Sequence, residues 1–454
     1  LTIERGTDPQ NQVYVRRADD LPPADHVTQG WTELIGDFKN QFSTIGNEGK
    51  TFFFATDLDA STKRVVSMDI DQPGREHLTE VVPAEKSTLE GVSILSKHII
   101  TQYLQDVLPR VRVFDLAGKL VREVKLPGLG AASGFGGDED DKETFYAFSS
   151  YNTPTVIYRY DVLSGESQVV HRPNVKFDAD KYAVEQVFYN SKDGTRVPMM
   201  LAYRKDLPRD KPHPTLLYGY GGYSISLPPH FSPDYIVWME MGGVVAVANL
   251  RGGGEYGEQW HQDGKILKKQ NVFDDFIAAA EWLIAKGRTS PEMLAINGGS
   301  NGGLLVGAVE VQRPELFGAC IPEVGVMDML RFHQFTAGQF WRTEYGSADD
   351  PDQFTALYAY SPYHNIKDGT RYPATMILTA DTDDRVVPMH SFKFAAALQR
   401  AQADTAPIIL RVETRAGHGG GTPVTKRIDE AADRWAFLVK NLKMDVPVRN
   451  ENEN

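Results

Sequence analysis

From about residue 180 onward the chain alternates strand-like and helix-like stretches, and that alternation narrows the possible folds more than any other feature. "TLLYGYGG" and "GGVVAVANLRGGG" are apolar runs ending in glycine loops. "NVFDDFIAAAEWLIAKG" follows, with Phe273, Phe276, Ile277, Ala280, Leu283 and Ile284 at helical spacing. Asn271 is placed to cap this helix, acids occupy its first turns and Lys286-Gly287 closes it, as the dipole and a glycine C-cap prefer. The strand-like "MLAING", "ATMILTA" and "PIILRVE" then alternate with the helix-like "SNGGLLVGAVEVQ", "MHSFKFAAALQRAQ" and "TKRIDEAADRWAFLVKNL". This pattern predicts a mostly parallel, doubly wound sheet with helices on both faces, whose reactive loops gather at the carboxyl ends of the strands.

Residues 1–179 read differently. They are short alternating segments broken by Gly, Asp, Pro and Ser, the mark of an all-β region. "VYVRRAD" ends at Asp19, "RVVSMD" at Asp69, "VRVFD" at Asp115 and "VIYRYD" at Asp161; the last three aspartates are 46 residues apart and the first gap is 50. Further strand-like runs, "KTFFFATD", "HIITQYL" and "TFYAFSS", precede the later three. A period of this size with several strands per unit predicts a β-propeller of about four blades; a β-sandwich with accidental spacing is the alternative. The expected domains are therefore a partial propeller over 1–179 and an α/β catalytic domain over 180–454. The abrupt, non-methionine start at "LTIERGTDPQ" favours an incomplete propeller and leaves any signal peptide out of view.

Composition removes several classes of function. The formal net charge of −13 argues against nucleic acid and anionic membrane as partners, because both require clustered Lys and Arg. No apolar run reaches the length of a membrane span. The single cysteine, Cys320, offers neither a disulfide framework nor a metal cluster, and its setting in "FGACIPEVG" is that of a core residue. No cofactor or metal is expected; a monomer is expected, cytoplasmic by default, with a periplasmic or secreted location as the alternative.

The chemistry centres on Gly298-Gly299-Ser300-Asn301-Gly302, a G-x-S-x-G motif between a predicted strand and a predicted helix. A sharp turn there strains the serine backbone and brings neighbouring chain close, so glycines are expected around it for steric reasons. The turn lifts the hydroxyl above the sheet, near the N–H groups of the helix that follows. A serine needs a base, and the base an orienting carboxylate. "MILTA" is followed by Asp381, Asp383 and Asp384, and "ILRVET" by "RAGHGGG" with His418, so Ser, Asp and His occur in the chain order of α/β-hydrolases. His418 has a glycine frame that His261, His333 and His390 lack; surface or packing roles suit those three. Spacing alone leaves the aspartate open. Developing negative charge on a carbonyl oxygen also requires prepared donors. The Asn301 N–H is one, and Tyr218 or Tyr220 in "LYGYGGY" can supply a second.

Together "YGYGGY", "NLRGGGEYGEQWH", "KQNVFDDF", "NGGSNGG", "VGVMDML", "TADTDDRVVP" and "AGHGG" closely resemble the prolyl oligopeptidase family of serine peptidases. The similarity runs through nearly all of 180–442 and less sharply through the propeller half. The resemblance implies Ser300 as nucleophile, Asp383 as the triad acid and His418 as the base. The oxyanion donors become the Tyr220 hydroxyl and the Asn301 N–H. Trp341, in "FWRTEYG", would stack on a substrate proline ring, with Tyr223, Val326, Tyr345 and Val386 completing an apolar pocket and Arg385 holding a substrate carbonyl. Proline offers a compact ring and no N–H, so an aromatic slot can select it with little polar readout. Family members begin with a segment that packs on the hydrolase domain, followed by a larger propeller, so the chain would associate with such a segment. At Glu4-Arg5-Gly6-Thr7 the chain departs from the family's order, and Arg5 receives no substrate role.

The expected activity is hydrolysis of short peptides on the carboxyl side of proline through an acyl-enzyme. The rivals are a related oligopeptidase or esterase with another side-chain preference, and a propeller-based binding protein with a silent hydrolase domain.

Overall fold

The computed structural model describes residues 1–17, 30–175, 177–419 and 422–446. The chain divides into two compact units: Leu1–Ser150, Thr155–Asn174 and Gly254–Gln259 form one, and Tyr151–Pro154, Val175–Gly253 and Trp260–Asn454 the other.

The first unit carries four antiparallel sheets. The first orders β1 (Thr2–Arg5), β2 (Asp8–Val15) and β3 (Thr32–Ile35). The second is β4 (Phe42–Glu48), β5 (Thr51–Thr56), β6 (Arg64–Asp69) and β7 (Thr79–Val82). The third is β8 (Thr88–Leu95), β9 (His98–Gln105), β10 (Leu108–Asp115) and β11 (Leu120–Val124), and the fourth is β12 (Ala131–Gly134), β13 (Glu143–Ser150), β14 (Thr153–Asp161) and β15 (Ser167–His171). Each is a meander with sequential neighbours paired, as in propeller blades.

The aspartate repeat has a physical cause. Asp69, Asp115 and Asp161 each end the third strand of a sheet, where the carboxylate closes the turn that follows. Asp69 Oδ1 accepts the Asp71 N–H at 2.9 Å, Asp115 Oδ1 those of Ala117 and Lys119 at 3.0 and 2.9 Å, and Asp161 Oδ1 those of Leu163 and Ser164 at 3.0 and 2.7 Å. Asp19 lies outside the described residues. Buried apolar clusters fill the spaces between sheets, with the Phe135 and Tyr146 rings stacked 4.6 Å apart in one of them.

Gly254–Gln259 joins this unit through backbone and side-chain hydrogen bonds. The Glu258 N–H donates to the Ser61 carbonyl at 2.7 Å, the Thr88 hydroxyl to the Glu255 carbonyl at 3.0 Å, and the Tyr256 hydroxyl to Asp106 at 2.7 Å. A Cβ on Gly257 would stand 2.1 Å from the Ser61 carbonyl oxygen, so only glycine permits this approach.

The second unit is built on one eight-stranded sheet. Its strands are β16 (Tyr182–Asn190), β17 (Arg196–Arg204), β18 (Thr215–Tyr218), β19 (Val244–Ala248), β20 (Leu294–Gly299), β21 (Ala319–Glu323), β22 (Ala374–Ala380) and β23 (Ile408–Glu413), in the spatial order β16-β17-β19-β18-β20-β21-β22-β23. β16, β17 and β19 pair antiparallel and all the rest parallel. The interior parallel strands β19 and β22 are buried on both faces, which is why they read as continuous apolar runs, while the edge strand β23 is only partly covered. Beginning at β18, the chain steps to β19 on one side and then to β20 on the other. The carboxyl ends of β18 and β20 therefore flank a topological switch point, where a ligand crevice is expected in open α/β sheets. Tyr218–Tyr223 and Ser300 follow those two strand ends.

Helices α1 (Pro233–Glu240), α2 (Glu258–Gln262), α3 (Gln270–Ala285), α4 (Asn301–Gln312), α5 (Arg342–Tyr345), α6 (Pro351–Tyr360), α7 (Met389–Ala401) and α8 (Val424–Asn441) complete the fold. The expectation for Asn271 is corrected. α3 begins one residue earlier, continuing a 3-10 turn over Ile266–Lys268, and the Asn271 amide donates to the Asp263 carbonyl at 2.8 Å. Cys320 is fully buried in β21. Among the described residues no helix is long and apolar enough to cross a membrane, and no His/Cys/Asp/Glu group is arranged to hold a metal ion.

Candidate active site

Ser300 joins β20 to α4 with φ 59° and ψ −115°, a left-handed conformation that disfavours a non-glycine residue by about 1–3 kcal/mol. Its own N–H is held by the Glu323 carbonyl at 2.8 Å, tying the turn to the end of β21. The steric expectation for the glycines is met at three of four positions. A Cβ on Gly298 would lie 2.4 Å from the Gly302 oxygen, one on Gly302 2.7 Å from the Gly219 oxygen, and one on Gly303 2.3 Å from the Glu323 oxygen. Gly299 is the exception, since a Cβ there meets only the Glu323 side chain at 4.0 Å. The tight approaches come one residue beyond each immediate flank, where the chain folds back on itself.

The Ser300 side chain acts on the Tyr220 phenol, whose pKa it lowers. Burial, reinforced by the charge of Glu344, pushes the Tyr220 phenol up to about 12, so it remains a donor throughout the neutral range. On the Tyr218 phenol, burial and the Glu323 carboxylate act instead. Spacing left these two tyrosines unseparated, and it is the Tyr220 phenol on which Ser300 acts.

Of the three aspartates after β22, Asp383 faces His418, whose Nδ1 is 2.6 Å from Asp383 Oδ2. The other Asp383 oxygen accepts the Arg385 and Val386 N–H groups at 3.0 and 2.9 Å, and the carboxylate is buried. Asp381 is exposed and accepts the Ala416 N–H at 3.3 Å, and Asp384 is exposed. An imidazole with Nδ1 on a fixed carboxylate presents Nε2 as a base. His418 and Ser300 both line one cavity of about 280 Å³, together with Val324, Thr379 and Gly417. Of the other histidines, His390 takes the packing role expected of it, whereas His261 meets the buried Glu344 carboxylate at 2.8 Å. His390 is buried, its Nδ1 accepts the Asp328 N–H at 3.1 Å, and burial pushes it down to about 4.

The predicted pocket residues form a packed aromatic set. The Trp341 ring lies 6.5 Å from Tyr345 at 86°, and Tyr345 lies 5.8 Å from Tyr223 at 87°. Phe332, which sequence reasoning missed, backs this set: its ring lies parallel to Trp341 at 6.5 Å and edge-on to Tyr345 at 5.4 Å. Val326 and Val386 are buried and the Arg385 side chain is exposed. The Tyr345 hydroxyl donates to Asn301 Oδ1 at 3.0 Å, linking the aromatic set to the residue after Ser300. The buried Val386 gives its N–H to the Asp383 carboxylate.

A serine on a strand-to-helix elbow at a switch point, on one cavity with a histidine that meets an aspartate, is the arrangement of the α/β-hydrolase fold. Residues 229–445 match the Prolyl oligopeptidase family, and residues 1–173 match the Prolyl oligopeptidase, N-terminal beta-propeller domain. The chain belongs to the prolyl oligopeptidase family. It is 47% identical over 416 residues to a prolyl endopeptidase of Elizabethkingia meningoseptica, covering 90% of this chain and 59% of the relative. It is 41% identical to a prolyl endopeptidase of Dictyostelium discoideum, covering 90% and 56%. A solved prolyl endopeptidase structure superposes with a TM-score of 0.93 at 45% identity, covering 98% of this chain and 64% of that one. The chain thus spans less than two thirds of the length of these relatives.

Proposed function

We propose that the protein is a serine endopeptidase that cleaves short peptides on the carboxyl side of proline. Ser300 Oγ attacks the prolyl carbonyl carbon while His418 Nε2 takes its proton, and Asp383 stabilises the imidazolium. The resulting oxyanion accepts from the Tyr220 hydroxyl and the Asn301 N–H. His418 then protonates the leaving amine and the C–N bond breaks, leaving an acyl-Ser300 ester. Water, deprotonated by His418, attacks the ester and releases the acid and the free serine hydroxyl. Trp341, Tyr223, Tyr345, Val326 and Val386 receive the proline ring, and Arg385 holds the carbonyl of the preceding residue.

The observation that carries this reading is the 2.6 Å contact of Asp383 with His418, which lines one cavity together with Ser300. The proline preference is supported by the aromatic set around Trp341 and by the relatives' description as prolyl endopeptidases. The test is hydrolysis of a Gly-Pro amide reporter by the protein and by Ser300→Ala. The expected result is loss of cleavage with an unchanged circular-dichroism spectrum, whereas full activity in Ser300→Ala would defeat the mechanism. Equal rates on Gly-Pro, Gly-Ala and Gly-Arg amides would defeat the proline pocket while sparing the triad.

A further inference from the structure

The oxyanion donor supplied by Asn301 is a backbone N–H that any residue would provide. Yet its side chain is buried and engaged at both ends of the amide. Asn301 Oδ1 accepts from Lys269 Nζ at 3.1 Å and from the Tyr345 hydroxyl at 3.0 Å, while Nδ2 donates to the Tyr220 carbonyl at 2.5 Å. An asparagine amide can turn either end toward a given neighbour, and two donors at one end fix which way it points. The NH2 group is thereby left for Tyr220.

Lys269 is a 1% exposed lysine whose three N–H bonds are all used. They go to the Gly221 carbonyl at 2.9 Å, to Asn301 and to Glu344 Oε1 at 3.4 Å. Glu344 is equally buried. Its Oε1 also accepts the Tyr223 N–H at 3.1 Å, and Oε2 meets His261 Nε2 at 2.8 Å. Burial pushes the Glu344 carboxyl up, but Lys269, His261 and the Tyr223 N–H more than reverse it, so it stays ionised; burial lowers Lys269, and the Glu344 charge opposes that. The loop carrying Tyr220 is therefore gripped at three backbone points within four residues: the Tyr220 carbonyl, the Gly221 carbonyl and the Tyr223 N–H. Gly221 has φ 65°, and a Cβ on Gly222 would stand 2.7 Å from the Asn301 amide, so the loop is shaped to receive this grip.

We infer that Lys269, Glu344 and His261 form a buried positioning cluster for Tyr220, acting through the Asn301 amide and the 220–223 backbone. None of the three touches the reacting atoms; they fix where the phenol points. The inference rests on the proposed role of Tyr220 as an oxyanion donor. A donor misplaced by a fraction of an ångström loses its effect on the transition state and not on the bound substrate, so kcat carries the signature.

The test is a double-mutant cycle on the full chain with the Gly-Pro amide reporter, using Tyr220→Phe, Lys269→Met and the pair. Tyr220→Phe is expected to lower kcat on the order of 100-fold. Lys269→Met is expected to lower kcat by about 10-fold or more with KM within about twofold, and to cost less than about threefold once the phenol is gone. If the Lys269 effect is undiminished in the Tyr220→Phe background, the cluster is only structural and the inference fails. Should Lys269→Met not fold, Tyr345→Phe takes its place in the cycle, since it removes a single hydroxyl from Asn301. A smaller kcat loss that vanishes in the Tyr220→Phe background is then expected, and an undiminished one refutes. Full activity in Tyr220→Phe or Ser300→Ala would strike at the proposed active site instead, which keeps the two failures apart.

Discussion

Glu310 lies ten residues beyond Ser300, in the helix α4 that the serine precedes, and it is a carboxyl in an apolar place. It is fully buried, its Oε2 has no hydrogen-bond partner, and Oε1 faces only the Thr375 hydroxyl at 2.5 Å. That hydroxyl also stands 3.0 Å from the Pro373 carbonyl. One hydroxyl proton cannot serve both oxygens, and a protonated Glu310 supplies the second. Burial pushes the Glu310 carboxyl up to about 8 from an ordinary 4.5, with the Thr375 bond opposing it weakly. The folded protein therefore holds a proton that the unfolded chain gives up. Its contribution is fully present below pH 4.5 and is lost as pH rises towards 8, at about 1.4 kcal/mol per pH unit. Glu310→Met preserves length and volume and leaves Thr375 its Pro373 acceptor. Between pH 5 and pH 7 the stability of the variant relative to the parent should therefore grow by about 3 kcal/mol. The lost Thr375 contact shifts both ends of that comparison equally and drops out of the slope. Urea unfolding followed by tryptophan fluorescence measures it, since five of the six tryptophans, all but Trp31, belong to the second unit. A stability gap that stays constant from pH 5 to pH 7 would show that Glu310 titrates alike in both states, and the reasoning would be wrong.

Asp383→Asn should leave the structure intact, because the amide oxygen can still take the Arg385 and Val386 N–H groups. It should lower kcat on the order of 10⁴-fold by holding His418 in the wrong tautomer; a loss under tenfold by steady-state kinetics would remove Asp383 from the triad. Trp341→Ala should lower kcat/KM for the Gly-Pro amide by about 10- to 100-fold and for the Gly-Ala amide by much less. The ratio of the two constants is the readout, and equal losses would mean that the indole is packing alone.

The sequence spelled out the periodic parts of this fold because they are repeated local chemistry. An aspartate that closes the turn after the third strand recurs at a fixed interval, and the interval is visible without any knowledge of the sheets. The catalytic unit was legible for a related reason, since buried parallel strands are continuous apolar runs and their helices carry amphipathic spacing. Gly254–Gln259 was not legible as part of the first unit. It sits in a glycine-rich stretch whose partners, Ser61, Thr88 and Asp106, are 150 or more residues away in sequence. Asn271 misled for the opposite reason: a capping residue at the right spacing was displaced by a 3-10 turn that runs straight into the helix.

The site divides along the same line. Ser300 and His418 announce themselves by residue type, glycine frame and chain order. Asp383 could not be separated from Asp381 by spacing, because the distinction lies in which carboxylate is turned inward under two backbone N–H groups. Lys269, Glu344 and His261 were further out of reach, since a lysine in "KKQN" and a glutamate in "RTEYG" look like solvated charges until the fold closes over them. Burying an ammonium and a carboxylate is costly unless each bond is satisfied, and apolar residues of the same size would often be as stable. What apolar residues could not do is hold the Gly221 carbonyl, the Asn301 amide and the Tyr223 N–H at once. The cost of burial is therefore best understood as the cost of a rigid loop beneath Tyr220. That is also why the cluster should reveal itself in kcat more than in KM.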